Sequence, residues 1–324
     1  MKIDIIDSLK IRSVNDLEQF WKDTEVYGYR LILTKSSIQY MSGYDSKRNK
    51  SLIVISKYQA IQLQSSRIIE TPRFFKRKSD GCWQFMLNLT DSKFESSFIE
   101  MCFDLIKFSS NGINEKDALE RFYLRYEYWR NLFDNYNAEG LSEEQQRGLI
   151  GELLFLRNLI LNGSKSPDEI LDGWEGPLKA HQDFIYADRW YEIKTVMSSA
   201  KKIQISSLEQ LSREDFGELV VFKLESVESD VENFLTLNSL VEEIRTLLDR
   251  NSESKKIFEN RLAHAGYLPL RRYDESMYRV SQNFRFAVDE KFPKLTHKNV
   301  PAAIIDATYS ISLDQLQNNL ISCD

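Results

Sequence analysis

The sequence of 324 residues is long enough for one large domain with a sizeable core or for two smaller domains, and we favour two. Hydrophobic residues make up 42% and charged residues 28%, a balance typical of globular proteins and too apolar for a disordered chain. The net charge of −6 argues against a protein that coats nucleic acid through bulk electrostatics, although it leaves room for local basic surfaces.

The cysteines and histidines argue against two kinds of site. The three cysteines are widely spaced and contain no CxxC pair, which disfavours a disulfide framework and a zinc site. The three histidines are too scattered for a metal cluster, so any metal site would use carboxylates and take a hard ion such as magnesium. No apolar run is long enough to cross a bilayer and the first residues lack a secretory signal, so we expect a cytoplasmic protein with no membrane partner.

Residues 1–112 are predicted to form a smaller α+β domain of unknown role. Asn15 is a candidate cap for a short first helix. The stretches YRLILTKSSIQYMSGYDSKRNKSLIVIS and CWQFMLNLT then alternate strand-like runs with turn residues. FESSFIEMCFDLIKFS has apolar residues at helical spacing and predicts a second helix.

Residues 113–324 are predicted to form the second domain, which begins with two helices. The first starts after Glu115 and carries an aromatic stripe, typical of a core face, that includes Phe122 and Trp129. The second is predicted from LSEEQQRGLIGELLFLRNLILNG, where Ser142 and Gln145 are spaced as a capping box and Gly163 is a stop signal.

The rest of this domain alternates strands and helices. DFIY and RWYEIKTVM are predicted as two short strands joined by the tight turn ADR, and the preceding GWEGP as the loop that delivers the chain to them. IQISSLEQL is predicted as a strand that runs into a helix, ELVVFKLES as a strand and LNSLVEEIRTLLDRN as an amphipathic helix. RRYDESMYRVSQNFRFAV is predicted as a strand pair, and AAIIDATYSISLDQL as a strand before a terminal helix. The fold class is therefore α/β, α+β overall, with a mixed central sheet of four or five strands flanked by helices.

Three charged residues stand out in the predicted hairpin. Alternation along the second strand places Glu192 and Lys194 on one side. If the two strands pair antiparallel, Asp183 arrives close to both. Two carboxylates placed together repel each other, and a divalent ion such as magnesium relieves the conflict, holds a phosphate oxygen and activates a water. Lys194 would orient that water, lower its pKa or stabilise charge on the phosphate in the transition state.

Each of these residues also has a purely structural interpretation. Asp183 is also consistent with a turn cap, and Glu192 with Lys194 suits the polar face of an edge strand. Glu152, beside the apolar face of the long helix, is by itself more typical of a solvated helix residue than of a ligand. Gln210 is equally consistent with a helix surface.

The order of these motifs resembles that of the PD-(D/E)XK nuclease superfamily: a helix with GE, then D, then E-x-K on a strand, then a polar helix ending in Q. More narrowly, RGLIGELLFLRNLI, GWEGP, DFIY, WYEIKT, ISSLEQL and FPKL are similar to a bacterial family of PD-(D/E)XK proteins found among restriction and phage-defence genes. The resemblance runs from roughly Trp129 to the C-terminus, and the first domain matches only by its position. Gln182 stands where the superfamily's proline would precede Asp183, which weakens the resemblance more than the chemistry.

The resemblance implies a restriction-endonuclease-like core and magnesium-dependent cleavage of DNA, with manganese as a substitute. It implies that Asp183 and Glu192 are metal ligands, that Glu152 completes or supports the metal site, and that Lys194 is the catalytic lysine. Gln210 matches a glutamine in relatives similar to Mrr-type restriction nucleases, where it would touch the DNA backbone or the site.

Partners and a rival function also follow from the resemblance. The implied partners are DNA and a helicase-like ATPase or a methyltransferase, and double-strand cutting favours a homodimer with two active sites. The competing hypothesis is a catalytically inactive nuclease-fold subunit that binds nucleic acid or scaffolds a defence complex.

Overall fold

The computed structural model describes residues 9–22, 28–59, 63–66, 68–70, 74–77, 79–135, 140–228, 233–249 and 251–323. The chain divides into two compact units, Met1–Gly140 and Leu141–Asp324, rather than after residue 112. The division lies later because the helix that begins at Glu115 packs in the first unit. Asp104, on the preceding helix, accepts hydrogen bonds from Arg125 and from Nε1 of Trp129, the latter at 2.7 Å.

The described part of the first unit contains one seven-stranded sheet and three α-helices. The strands are β1 (Leu9–Lys10), β2 (Gly28–Leu33), β3 (Gln39–Tyr44), β4 (Lys50–Ser56), β5 (Ile69–Glu70), β6 (Phe74–Lys76) and β7 (Trp83–Leu89). The helices are α1 (Val14–Lys22), α2 (Glu95–Ser109) and α3 (Glu115–Asn135). The sheet order is β1-β2-β3-β4-β7-β5, with β6 also paired to β7, and only the β1–β2 pair is parallel among the described strands.

The helices of this unit agree with the sequence pattern except at one cap. The aromatic stripe of α3 is buried as predicted, with Phe122 and Trp129 both 0% exposed. The first helix, however, begins at Val14, so Asn15 lies inside it. Ser13 caps it instead, because its hydroxyl accepts a hydrogen bond from the backbone N–H of Asp16 at 3.2 Å.

The second unit is built on a five-stranded mixed sheet and a separate two-stranded sheet. The strands are β8 (Phe184–Ile185), β9 (Trp190–Met197), β10 (Lys202–Ile205), β11 (Gly217–Ser226), β12 (Tyr278–Ala287), β13 (Tyr309–Ser312) and β14 (Leu320–Cys323). The helices are α4 (Glu143–Asn162), α5 (Pro167–Asp172), α6 (Leu237–Leu247) and α7 (Ser252–His264). The large sheet has the order β14-β12-β11-β9-β8, in which only β9 and β11 run parallel among the described strands, and β10 pairs with β13. The predicted mixed sheet of four or five strands is confirmed.

Three local predictions in the second unit are wrong. Residues 206–212 form turns instead of a helix. Nε2 of Gln182 donates hydrogen bonds to the backbone carbonyls of Glu209 and Gln210, and Oε1 of Gln210 accepts a hydrogen bond from the backbone N–H of Ser206. The predicted strand pair is the single strand β12, which β11 pairs along its whole length. After β13 the chain makes two short 3₁₀ turns and β14 in place of a terminal helix.

Two layers cover the faces of the central strand β9. On one face α4 crosses Ile193 and Thr195. On the other face the two-stranded sheet packs over the core, which includes Trp190, Ile203 and Ile311. The ends of α4 are those predicted: Ser142 and Gln145 form a capping box, and Gly163 ends the helix at φ 62°. Within the described residues, no helix has both the length and the apolar character needed to span a membrane.

Contact between α4 and β9 depends on a glycine. A Cβ added to Gly151 would lie 1.9 Å from Oγ1 of Thr195, whereas a Cβ added to Gly148, on the same helix, would meet nothing within 4 Å. We expect Gly151→Ala to lower the free energy of unfolding by about 1–3 kcal/mol through overpacking. Gly148→Ala should leave it unchanged or raise it by up to ~1 kcal/mol through helix propensity. Urea denaturation compares the two variants, and equal stabilities would contradict this packing.

Candidate active site

Asp183 is held in a fixed orientation where β8 begins. Its backbone carbonyl accepts hydrogen bonds from the N–H groups of Glu175 and Gly176, both at 2.9 Å. Its carboxylate turns the other way, and Oδ2 accepts the backbone N–H of Ile193 on β9 at 2.7 Å. The regular pairing of β8 with β9 ends at Phe184, so the carboxylate of Asp183 takes a position that a neighbouring strand would otherwise fill.

Glu192 and Lys194 project from the same face of β9, as the alternation predicts. Their side chains form an ion pair, with Nζ of Lys194 2.8 Å from Oε1 of Glu192. The neighbouring strand β11 carries Leu219 and Val221 in register with them, and both belong to the core beneath the two-stranded sheet. This location buries Glu192, which is 1% exposed. Among the described residues, its second oxygen, Oε2, has no hydrogen-bond partner.

Glu152 reaches this group of charges from α4. Its Oε2 accepts a hydrogen bond from Nε1 of Trp174 at 2.7 Å. Trp174 is fully buried and stacks on Phe184, with ring centroids 6.3 Å apart and planes inclined by 13°. A Cβ placed on Gly176 would lie 2.7 Å from Oε2 of Glu152 and 3.0 Å from Oδ1 of Asp183, so the two carboxylates face the same small space.

Gln210 completes the cluster through Lys194. Its Oε1 accepts the backbone N–H of Ser206 at 2.8 Å and lies 3.4 Å from Nζ of Lys194. Tyr309 also lies near Lys194. Burial raises the pKa of the Tyr309 hydroxyl, and the ammonium group of Lys194 opposes that rise. The structure thus brings together all five residues singled out in the sequence, Glu152, Asp183, Glu192, Lys194 and Gln210. Their catalytic and metal-binding roles stay predictions.

The surroundings raise the pKa of all three carboxyl groups. Burial, and then the neighbouring carboxylate of Asp183, raise the pKa of Glu192 to about 8 despite the ion pair with Lys194. The same two causes raise the pKa of Glu152 well above its usual range, against the hydrogen bond from Trp174. Burial also raises the pKa of Asp183, while the charge of Lys194 and the hydrogen bond from the Ile193 amide lower it. Glu152 and Asp183 retain some contact with solvent, so the cost of ionisation is clearest at Glu192.

Lys194 stays charged in this setting. Burial disfavours its ammonium form, but the surrounding carboxylates of Glu192, Asp183 and Glu152 outweigh burial and raise its pKa above the ordinary value. Lys194 is therefore a fixed positive charge and a hydrogen-bond donor at neutral pH.

The donor set suits a hard divalent cation. It consists of carboxylates, one of which keeps a buried oxygen without a partner, and a cation would remove their mutual repulsion. In the described part of the chain, no three His, Cys, Asp or Glu side chains are already gathered as a metal site. Asp183, Glu192 and Glu152 are the residues that would hold such an ion, and Glu192 would offer it the oxygen Oε2, which has no hydrogen-bond partner among the described residues.

Sequence reasoning missed the two residues that support the carboxylates. The stretch GWEGP predicts a loop that delivers the chain to Asp183, and the structure agrees, since Trp174 forms a bridge to Phe184. Trp174 and Gly176 contact Glu152 from 22 or more positions further along the sequence, where no spacing rule connects them to it. The clustering of glycines around a tryptophan just before Asp183 was the one available signal.

Gly176 provides a test of the carboxylate geometry. Gly176→Ala would push on the flexible end of Glu152, so we expect the free energy of unfolding to change by less than ~1 kcal/mol. The displaced carboxylates should bind Mn²⁺ about 10-fold more weakly or worse, the usual effect of disturbing groups that support metal ligands. Calorimetric titration of Mn²⁺ measures this, with Gly148→Ala as the matched control. Equal Mn²⁺ affinity in Gly176→Ala and the wild type would contradict the shared space.

Burial of Glu192 predicts a pH dependence of stability. Its pKa rises from an ordinary 4.5 to about 8 on folding, so its contribution is fully present below about pH 4.5 and is lost as the pH rises through about 8. Without divalent ions, the wild type should lose stability relative to Glu192→Gln across that window, by at most about 1.4 kcal/mol per pH unit. Urea denaturation of the two proteins from pH 5 to 9 measures this. A constant difference between their free energies of unfolding over that range would contradict the raised pKa of Glu192.

Comparison with known proteins adds one match. A family model described as "Putative PD-(D/E)XK family member, (DUF4420)" matches residues 9–314. No curated protein and no solved structure matches the chain. The match includes the first unit as well as the region after Trp129 on which the sequence resemblance rests. The mixed sheet with carboxylates on β9 and beside β8 is consistent with a fold of this type, and the chain belongs to the DUF4420 family of PD-(D/E)XK proteins.

Proposed function

We propose that this protein is a magnesium-dependent endonuclease that hydrolyses phosphodiester bonds in DNA, with manganese as a substitute. The observation that carries the proposal is Glu192, buried on a central strand with one unpartnered oxygen, beside Asp183 and 2.8 Å from Lys194. Membership of a PD-(D/E)XK family supports a nuclease-like protein in general. A chain under no demand for a charged site has no physical reason to bury carboxylates that raise one another's pKa.

The chain's own residues divide the work. A divalent ion held by the carboxylates would supply Lewis-acid stabilisation of the phosphate and a water of lowered pKa. Asp183, fixed by the Ile193 amide, presents its other oxygen to the space it shares with Glu152. Lys194 keeps its proton, so it would orient the water or stabilise the negative charge that builds up on the phosphate, rather than abstract a proton. Gln210 would hold Lys194 in place.

The biological setting belongs to the same proposal. The family resemblance favours a cytoplasmic enzyme of restriction or anti-phage defence that works with a helicase-like ATPase or a methyltransferase. Cutting both strands would require two active sites, which favours a homodimer.

The second candidate is an inactive nuclease-fold subunit that binds nucleic acid or scaffolds a defence complex. One observation favours it: Lys194 already satisfies one oxygen of Glu192, and no three ligand side chains are preassembled in the described residues. The two candidates differ in their response to divalent ions. An active site should gain thermal stability from Mg²⁺ or Mn²⁺, and a scaffold whose ion pair closes the site should not.

Plasmid cleavage tests the proposal. We expect wild-type protein to nick or linearise methylated or unmethylated plasmid with Mg²⁺ or Mn²⁺. Lys194→Ala should lower the rate at least ~100-fold, because the variant lacks the preorganised ammonium group that would stabilise negative charge on the phosphate. Lys256→Ala is the matched control, since this lysine is exposed and makes one surface contact at 4.0 Å with Glu253. Its cleavage rate should equal that of the wild type.

Two results would count against the nuclease. Cleavage by Lys194→Ala at the wild-type rate would remove the lysine from the mechanism. If neither protein cuts and neither is stabilised by Mn²⁺ in a thermal melt, the scaffold function is the better account.

A further inference from the structure

An exposed apolar loop borders the candidate active site. Residues 301–306 read PAAIID and all six are exposed, with Ile304 at 41% and Ile305 at 83%. A run of exposed apolar residues this long is unfavourable in water and is a feature of binding surfaces. Asp306, the last residue of the run, is its single charged member.

Both ends of the loop are attached to the segment that carries Gln210. After the loop, Oγ1 of Thr308 donates a hydrogen bond to the carbonyl of Ser206 at 3.2 Å. Before it, Nε2 of His297 lies 2.6 Å from Oε1 of Glu209. Since Gln210 itself bonds to the Ser206 amide and lies 3.4 Å from Lys194, these attachments hold the loop at the rim of the site.

The two strands next to the loop present a polar face to solvent. Its exposed side chains come from register pairs of β10 and β13, and they are Lys202 with Ser312 and Gln204 with Ser310. Each is a hydrogen-bond donor and none is a carboxylate; the nearby Asp306 and Asp314 lie in the flanking loop and turn. Ammonium, amide and hydroxyl groups on a two-stranded ribbon are suited to the phosphates of a nucleic-acid groove.

From this arrangement we infer that residues 301–306 are a DNA wedge. Ile304 and Ile305 insert between base pairs from the minor groove, while the β10–β13 face binds the adjacent phosphates. Isoleucines used in this way unstack a base step and kink the duplex, and the insertion removes their apolar surface from water. The inference rests on the proposed nuclease function, because the wedge would act on the duplex whose phosphate lies at Lys194.

Binding without cleavage tests the wedge separately from catalysis. In full-length Lys194→Ala protein, Ile304→Ser with Ile305→Ser should weaken binding to a short DNA duplex at least ~10-fold, while the slope of log affinity against log salt stays unchanged. Lys202→Ala should instead reduce that slope by about one, as expected for a phosphate contact. Ile321→Ser, on β14, changes another isoleucine that is 49% exposed and should alter neither quantity. Fluorescence anisotropy over a range of salt measures all four proteins.

Unwinding gives a second readout that is specific to insertion. A nicked plasmid ligated in the presence of Lys194→Ala protein should yield topoisomers with a changed linking number, and the added serine pair should abolish that change. Thermal melts check that each variant is folded.

The outcomes separate the wedge from the nuclease. If the serine pair leaves affinity and linking number unchanged, the wedge is wrong, whether or not the wild type cuts DNA. If the serine pair loses both but wild-type protein never cuts, the wedge stands and the nuclease falls. Should the serine pair convert a self-associating protein to a monomer with unaltered DNA affinity, the loop covers a second copy of the chain and the wedge is overturned.

Discussion

The point at which regular pairing between β8 and β9 ends is the constraint on which the candidate site depends. Pairing stops at Phe184. Beyond that point, the backbone N–H of Ile193 on β9 donates its hydrogen bond to the carboxylate of Asp183 instead of to a backbone carbonyl. This turns Asp183 toward the strand that carries Glu192 and Lys194. The GWEGP segment fixes the opposite side of Asp183 through two backbone hydrogen bonds and brings the indole of Trp174 to Glu152. One interrupted strand pair thus organises charges from a helix, a loop and a strand.

Burial and mutual repulsion destabilise the ionised carboxylates of the cluster, and Lys194 only partly offsets this. Glu192 is almost fully buried and its pKa rises to about 8 although Lys194 is 2.8 Å away. One ammonium group attracts three carboxyl groups, so its attraction does not offset the cost of removing each carboxylate from water. A second positive charge in the space beside Gly176 would stabilise the ionised forms and release protons. The burial of these carboxyl groups therefore costs the folded chain some stability.

How much could be predicted from the sequence depended on whether the signal was local. The capping box at Ser142, the two strands joined by ADR and the alternation of Glu192 with Lys194 are short-range patterns, and the structure has all three. The helix expected to carry Gln210 is absent from the described residues 206–212, because the side chains of Gln182 and Gln210 bind the backbone there and stabilise turns. Side-chain hydrogen bonds of this kind compete with helix formation and leave no periodic trace. The contacts of Glu152 with Trp174 and Gly176 likewise join distant parts of the chain, so a residue that looked like a solvated helix position proved to lie in the cluster.

We propose that the carboxylates around β9 are a cation site, and diffraction from crystals soaked in Mn²⁺ is the most direct test. An anomalous-difference map locates manganese independently of catalysis and of any partner. We expect a peak bound by Asp183 and Glu192, with Glu152 at or next to it and with Oε2 of Glu192 among the ligands. A map without a peak there at saturating Mn²⁺ would contradict a cation site at these carboxylates.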